Sequence, residues 1–145
     1  MGIALEYNLS DIAKAQQKFK NLAAVNTQPL MAEIGEYILS ETQLNFEQEQ
    51  TPDGEAWQPS QRASRDNGKT LQDHRHLYDS YTYEAANDSV DVGSNSEYAA
   101  IHHQGGQAGR NLAVTIEARP ALGMNDTMEA DIGDMALDFV AEAFA

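Results

Sequence analysis

The fold class is decided by one stretch, LYDSYTYEAANDSVDVG, which runs from Leu77 to Gly93. Its first half is rich in tyrosine, and it favours a strand over residues 77–85 because aromatic and β-branched side chains suit a half-buried pleated surface. Residues 89–93 alternate between apolar and polar side chains, which predicts a second strand. The Asn-Asp pair between the two strands is typical of a turn. The stretch therefore predicts an antiparallel β-hairpin.

Two helices are predicted before this hairpin. Apolar residues recur at helical spacing from about Ser10 to Val25, with Ser10 as N-cap, and again from about Pro29 to Glu49. Thr27 can cap the second helix, and a proline is tolerated in a first helical turn. Because the link between the helices is only three residues long, we expect them to pack as a helical hairpin.

The segments on either side of the hairpin are shorter. Residues 51–54 predict a turn, and the polar, basic stretch from Ser60 to Lys69 has no periodicity, which predicts a loop. After the hairpin we expect one helical turn over residues 98–103 and a flexible glycine-rich tip over residues 104–110. Alternation from Leu112 onwards predicts one more strand, which ends before Pro120.

The last segment, from Asp126 to Phe144, has the clearest helical periodicity in the chain. Asp126 and Glu129 have the spacing of a capping box. The face that we expect to be buried consists of Met128, Ile132, Met135, Ala136, Phe139 and Ala143. Together the segments predict a single α+β domain over residues 1–145, with an N-terminal helical hairpin, a small antiparallel β-sheet and a C-terminal helix packed on the sheet.

Composition narrows the possible functions. The 145 residues carry 23 acidic and 9 basic side chains, a net charge of −14, which argues against specific nucleic-acid binding. The absence of cysteine excludes disulfides and thiolate metal sites. No signal peptide and no apolar run long enough to span a membrane is visible, so we expect no membrane partner.

No catalytic or cofactor-binding motif is present, so we expect neither an enzyme nor a cofactor. The four histidines leave one alternative open. His74 and His76 would point to the same face of a strand, and His102 or His103 could add a third metal ligand. Zinc sites more often show longer spacings and a supporting carboxylate. A metal-dependent enzyme or metal sensor built on these histidines is therefore a second hypothesis, and an acidic mimic of DNA is a third.

Charge is unevenly distributed along the chain. On the C-terminal helix, carboxylates repeat every three or four residues along one side, although like charges at this spacing destabilise a helix. We therefore expect this acidic stripe to contact the basic stretch of a neighbouring subunit and so to build a ring. The stripe consists of Asp131, Asp134, Asp138 and Glu142, and the basic residues are Arg62, Arg65 and Lys69.

Five short motifs, in this order and spacing, resemble those of the phage virion morphogenesis family. They are PDGEAW (residues 52–57), LYDSY (77–81), VDVGSN (90–95), YAAIHHQGG (98–106) and ARPALG (118–123). The resemblance extends from about Glu33 to the final helix.

The resemblance implies a structural virion protein that acts in tail completion and head–tail joining. It implies self-assembly, docking on other tail or connector proteins, and a location in the virion after assembly in the host cytoplasm. No catalytic residue is implied.

The matching residues for which we expect a structural role are Pro52, Gly54, Trp57, Gly93, Tyr98, His102, Gly105, Gly106, Arg119 and Pro120. Among these, we expect Tyr98 and His102 to pack in the core and Trp57 to fill a joint in it. Gly93 and the Gly105–Gly106 pair are expected to adopt backbone geometries that other residues avoid, and Arg119 either to bind a carboxylate or to lie in solvent.

Overall fold

The computed structural model describes residues 13, 14, 16, 17, 20, 21, 24–72 and 75–144. The described positions from 13 to 24 are helical, in agreement with the predicted first helix. Its predicted cap, Ser10, lies outside the described residues. So do the apolar positions on which that helix was predicted, namely Leu9, Ile12, Phe19, Leu22 and Ala23.

The second predicted helix is confirmed as α1 (Gln28–Gln48). It ends at Glu49, whose left-handed backbone (φ 54°) lets its N–H bond the carbonyl oxygens of the last turn. At the other end Thr27 occupies the N-cap position, as predicted, but its side chain does not cap the helix. The Thr27 hydroxyl bonds no N–H of the helix and instead donates to the carbonyl oxygen of Asn87 in the hairpin turn.

A short helix, α2 (Gln61–Asp66), replaces most of the predicted loop over residues 60–69. Ser60 caps it, because the Ser60 hydroxyl accepts a hydrogen bond from the N–H of Ala63 at 3.1 Å. Asn67 ends the helix in a left-handed conformation. Periodicity missed this element because six residues are too few to show it.

The predicted hairpin is confirmed as β1 (Tyr81–Ala85) and β2 (Val90–Ser94), paired antiparallel from Tyr81 opposite Ser94 to Ala85 opposite Val90. Its first strand is shorter than predicted, because residues 76–80 form a helix, α3 (His76–Ser80). Because these residues form a helical turn, Tyr78 and Tyr81, which are three positions apart, both face the buried side. In a strand, two residues three positions apart would face opposite sides.

A helix, α4 (Ala99–Gln104), confirms the predicted helical turn. The predicted flexible tip after it contains a strand instead. This strand, β3 (Gly106–Ala108), pairs antiparallel with β4 (Val114–Ile116), and the connection includes a 3₁₀ turn over residues 110–112. The four described strands therefore form two separate pairs, and Leu112 belongs to the turn rather than to the predicted strand.

The C-terminal helix, α5 (Asp126–Ala143), is confirmed, but its cap is displaced by one residue. Asn125 is the N-cap, since its side-chain oxygen accepts the N–H of Met128 at 2.8 Å. The predicted capping pair of Asp126 and Glu129 is therefore wrong. Both acids still lie in the first turn, where negative charge is favourable.

The long helix α1 holds the other elements together. The β1–β2 hairpin packs on it at Gly35, and α5 packs on it at Tyr37, whose hydroxyl donates to Asp131 at 2.6 Å. The α+β class is confirmed. The main packing partner of α5 is α1 rather than the sheet, because α1 already covers the inner side of the hairpin. None of the described helices combines the length and apolarity needed to cross a membrane.

Candidate assembly surfaces

The core of the molecule is a group of aromatic rings around Phe46, which is 1% exposed. The rings of Trp57, Tyr78 and Tyr81 lie 5.5, 5.8 and 5.5 Å from it, edge-on or tilted, as aromatic quadrupoles prefer. The indole N–H of Trp57 donates to the carbonyl oxygen of Pro120 at 2.9 Å. The predicted burial of Trp57 in a joint of the core is thus confirmed.

Residues 118–123, the closing segment, connect this core to distant parts of the chain. The backbone N–H of Arg119 donates to the carbonyl oxygen of His102, and its guanidinium Nε donates to that of Gln58, both at 2.7 Å. Asn45 donates to the carbonyl oxygen of Ala121 at 2.9 Å. Arg119 is buried, so the expectation that it lies in solvent is wrong. Its Nε bonds a carbonyl oxygen, and the expected carboxylate partner stays a prediction.

Several motif residues have steric roles at this segment. A Cβ on Gly105 (φ 74°) would lie 2.9 Å from the backbone atoms of Ala118 and Ile116, so that only glycine fits. Pro52 packs against Gly123, and its carbonyl oxygen accepts the side-chain N–H of Asn125 at 2.8 Å. These contacts hold the closing segment against the rest of the fold.

The other motif residues agree only in part with the roles expected for them. Gly54 (φ 88°) forms the predicted turn, and Gly106 (φ 153°) starts β3. The expectation for Gly93 is wrong, because it lies in β2 without a positive φ and a Cβ there would meet no described atom. The predicted burial of Tyr98 is also wrong, since this residue is 60% exposed.

Beside the closing segment lies a cleft of about 390 Å³, which we call the basic cleft. Among the described residues that line it there is no carboxylate, although the chain as a whole is strongly acidic. A positive concavity on a negative molecule favours the binding of an anionic group. Its described lining includes the arginines Arg62, Arg75 and Arg119, together with the histidines His76 and His102.

His102 is half-buried at this cleft, and its ring nitrogen Nδ1 is buried without a hydrogen-bond partner among the described residues. Burial, and then the neighbouring charge of Arg119, lower the pKa of His102 below its ordinary value. The imidazole is therefore neutral at neutral pH. Because His102 is only half-buried, the expectation that it packs in the core is met in part.

The basic stretch predicted from the sequence divides in two. Arg62 lines the basic cleft and donates to the carbonyl oxygen of Lys69 at 2.5 Å. Arg65 instead forms an ion pair with the adjacent Asp66 at 2.9 Å, and the Lys69 ammonium donates to the carbonyl oxygen of Glu47 at 2.7 Å. The cleft thus contains one of the three predicted basic residues and adds Arg75 and Arg119, which the prediction omitted.

The acidic stripe on α5 is only partly exposed. Asp131 is half-buried and accepts the hydrogen bond from Tyr37. Burial, and then this hydrogen bond, raise the pKa of Tyr37 to about 12. Asp134, Asp138 and Glu142 are exposed. The contact predicted between this stripe and the basic stretch of a neighbour remains a prediction for these three residues.

The side of α5 that points away from α1 is apolar. Leu137 is 69% exposed, and Val140 and Phe144 are also exposed. At about 100° per residue, Leu137 lies about 180° from the buried Met128. We define the outer face of α5 as Leu137 and Val140 together with Phe144, the residue that ends the helix. This face was not predicted from the sequence. The spacing of its residues by three and four positions carried the signal.

The predicted inner face of α5 is shallow. Met128 is fully buried, whereas Ala143 is exposed, contrary to prediction. The remaining predicted positions, Ile132, Met135, Ala136 and Phe139, are half-buried.

The histidines provide no metal cluster in the part of the chain that the structure describes. No three described side chains of the ligating types lie together. His76 and His102 both line the basic cleft, and His103 is half-buried. His74 lies outside the described residues. The metal hypothesis therefore gains no set of ligands from this geometry.

Comparison with known proteins matches the sequence to a family. Residues 8–141 match the sequence profile of the phage virion morphogenesis family. A Mu-like prophage protein of Haemophilus influenzae, FluMu G protein 2, is 36% identical over 132 residues, which cover 91% of each chain. No solved structure matches the chain significantly.

Proposed function

Because the chain belongs to the phage virion morphogenesis family, we propose that it is a structural subunit that completes the phage tail and joins it to the head. In this role it assembles with copies of itself and docks on other tail or connector proteins. It assembles in the host cytoplasm and remains in the virion. It acts through its surfaces and not as an enzyme.

The observation that carries the proposal is the outer face of α5. A helix whose outer side exposes a leucine, a valine and a phenylalanine at helical spacing is typical of a protein–protein contact. The motif residues of the closing segment, by contrast, are mainly used in packing and backbone hydrogen bonds. The motifs thus support a stable shape, and α5 supports contact with a partner.

The acidic charge suits the same role. A joining subunit that surrounds the path of the genome has to let DNA pass without binding it. A surface with a net charge of −14 per chain repels phosphates. This charge therefore supports a ring with an acidic lumen.

Deletion of the gene from the phage or prophage that carries it tests the proposal. We expect electron micrographs of lysates to show heads and tails that are not joined, and the titre of infectious particles to collapse. A plasmid copy of the gene should restore both. Joined, infectious particles from the deletion strain would overturn the proposal.

A further inference from the structure

We propose that the outer face of α5 docks in the basic cleft of a second copy of the chain. The inference rests on the proposed self-assembly and names the two surfaces that meet. It replaces the expected contact with Arg65 and Lys69, because those two side chains are bound to Asp66 and to the Glu47 carbonyl of their own chain.

The cleft offers both kinds of contact that α5 requires. Its walls include the apolar side chains of Leu71, Leu77 and Ile116, and Tyr98 stands exposed at its edge. The guanidinium carbon of Arg75 lies 4.1 Å from the centre of the Tyr78 ring, so that its positive charge stands over an aromatic face at the cleft. An occupant that combines apolar side chains with carboxylates would match this lining.

The C-terminal helix has that combination. Leu137 lies at one edge of the outer face. Phe144 and Val140 lie about 20° and 60° round the helix from it on one side, and Asp134 and Asp138 lie about 60° and 100° round it on the other. Both carboxylates are exposed. The apolar strip can therefore enter the cleft while the carboxylates meet the arginines, with charge complementarity that also sets the orientation.

The two surfaces lie apart on one subunit. None of the described residues that line the basic cleft belongs to α5. Each copy can therefore offer its helix to one neighbour and its cleft to another. Such a head-to-tail contact produces a ring when its rotation closes and a filament when it does not.

The test uses two substitutions, each of which destroys one surface. Arg75→Glu places a negative charge in the cleft, and Leu137→Glu places one in the outer face of α5; both residues are exposed. By sedimentation velocity, we expect the wild-type chain to assemble beyond a dimer. Each variant alone should be monomeric at the same concentration, a loss of at least about tenfold in affinity, or about 1.4 kcal/mol.

An equimolar mixture of the two variants is the decisive measurement. The Arg75→Glu chain keeps an intact helix and the Leu137→Glu chain keeps an intact cleft. The mixture should therefore form a one-to-one dimer and nothing larger. A contact made between two identical surfaces would not produce this dimer.

Matched substitutions outside both surfaces control for charge. Arg110→Glu and Leu112→Glu change the same residue types at exposed positions of the β3–β4 connection, where Leu112 is 65% exposed. Both should assemble as the wild-type chain does. Tyr98→Glu serves as a second cleft variant if circular dichroism shows that Arg75→Glu does not fold.

Three results would overturn the inference. They are a wild-type chain that stays monomeric, folded single variants that keep the wild-type mass, and a mixture that stays monomeric. If the single variants still assemble, the subunits use other surfaces and the proposed role in tail completion stands. That role is judged separately by the gene deletion.

Discussion

The two longest described helices are used in different ways. Along its 21 residues α1 buries six of them, because the hairpin, α5 and the closing segment all pack on it. The 18 residues of α5 include a single fully buried one, Met128. Both helices end within about one residue of the predicted position. The difference between them therefore lies in what covers them and not in how well they form.

This difference separates residues that maintain the fold from residues available for contact. A substitution in the covered faces of α1 should lower the free energy of unfolding of the isolated subunit. A substitution in the outer face of α5 should leave that free energy nearly unchanged and act on assembly instead. Unfolding is best measured at concentrations below those at which subunits assemble, since assembly stabilises the folded state.

The largest effect is expected from Phe46→Ala. Phe46 lies between three aromatic rings and is fully buried, so its truncation leaves a cavity and removes the ring contacts. We expect the free energy of unfolding to fall by about 3–5 kcal/mol in urea denaturation. The matched change on α5, Leu137→Ala, should alter it by less than about 0.5 kcal/mol. Equal losses in the two variants would show that α5 is covered within the monomer.

A pair of helical glycines sharpens the same comparison. A Cβ on Gly35 of α1 would lie 2.6 Å from the ring of Tyr83 and 2.8 Å from Val90, both fixed in the hairpin. We expect Gly35→Ala to destabilise the subunit by about 1–3 kcal/mol through overpacking. Gly133 of α5 has open space around its Cβ position, so Gly133→Ala should stabilise by about 0.5–1 kcal/mol through helix propensity. Thermal melts of both variants would measure the opposite signs, and a stabilising Gly35→Ala would contradict the close packing of α1 on the hairpin.

A smaller effect is expected at the start of α5. Asn125 caps this helix and also bonds the carbonyl oxygen of Pro52, so it fixes the helix to the turn before Trp57. We expect Asn125→Ala to lower the free energy of unfolding by about 1–2 kcal/mol in urea. The exposed Asn95 serves as a control, and its replacement by alanine should have little effect. If the two variants lose equal stability, the cap contributes nothing.

The sequence predicted α1, α5 and the hairpin because each has a pattern that persists over several turns or strand residues. It did not predict α2, which depends on a single serine cap, or β3, which lies in a glycine-rich stretch with almost no apolar side chains. Tyr81 and Tyr83 share a parity that suits β1. The residues before them fit a helix as well as a strand, because in a helix Tyr78, three positions before Tyr81, faces the same side as Tyr81.

The candidate surfaces were predicted less well than the fold. The sequence located the charges of the acidic stripe, but the basic cleft is lined by residues that are scattered between positions 60 and 119 on several elements. Its lining could not be read from a local pattern. The outer face of α5 could have been identified from the sequence, since Leu137, Val140 and Phe144 repeat every three or four residues. When a helix has two apolar stripes, however, its sequence does not indicate which of them is buried.

The smallest effect is expected from the contact between the two helices, and its size depends on pH. Tyr37 of α1 donates to Asp131 of α5, and its pKa is raised from 10.0 to about 12 in the folded chain. Below pH 10 the tyrosine is protonated in both states and its contribution is complete. Between pH 10 and 12 only the unfolded chain loses the proton, so this contribution declines as pH rises.

At pH 7 we expect Tyr37→Phe to cost about 0.5–1.5 kcal/mol for the lost hydrogen bond. The stability difference between wild type and variant should then shrink from pH 10 to 12, and the other tyrosines cancel because both proteins contain them. Urea denaturation at several pH values would measure this difference, and a gap that stays constant up to pH 12 would mean that Asp131 does not hold the Tyr37 proton.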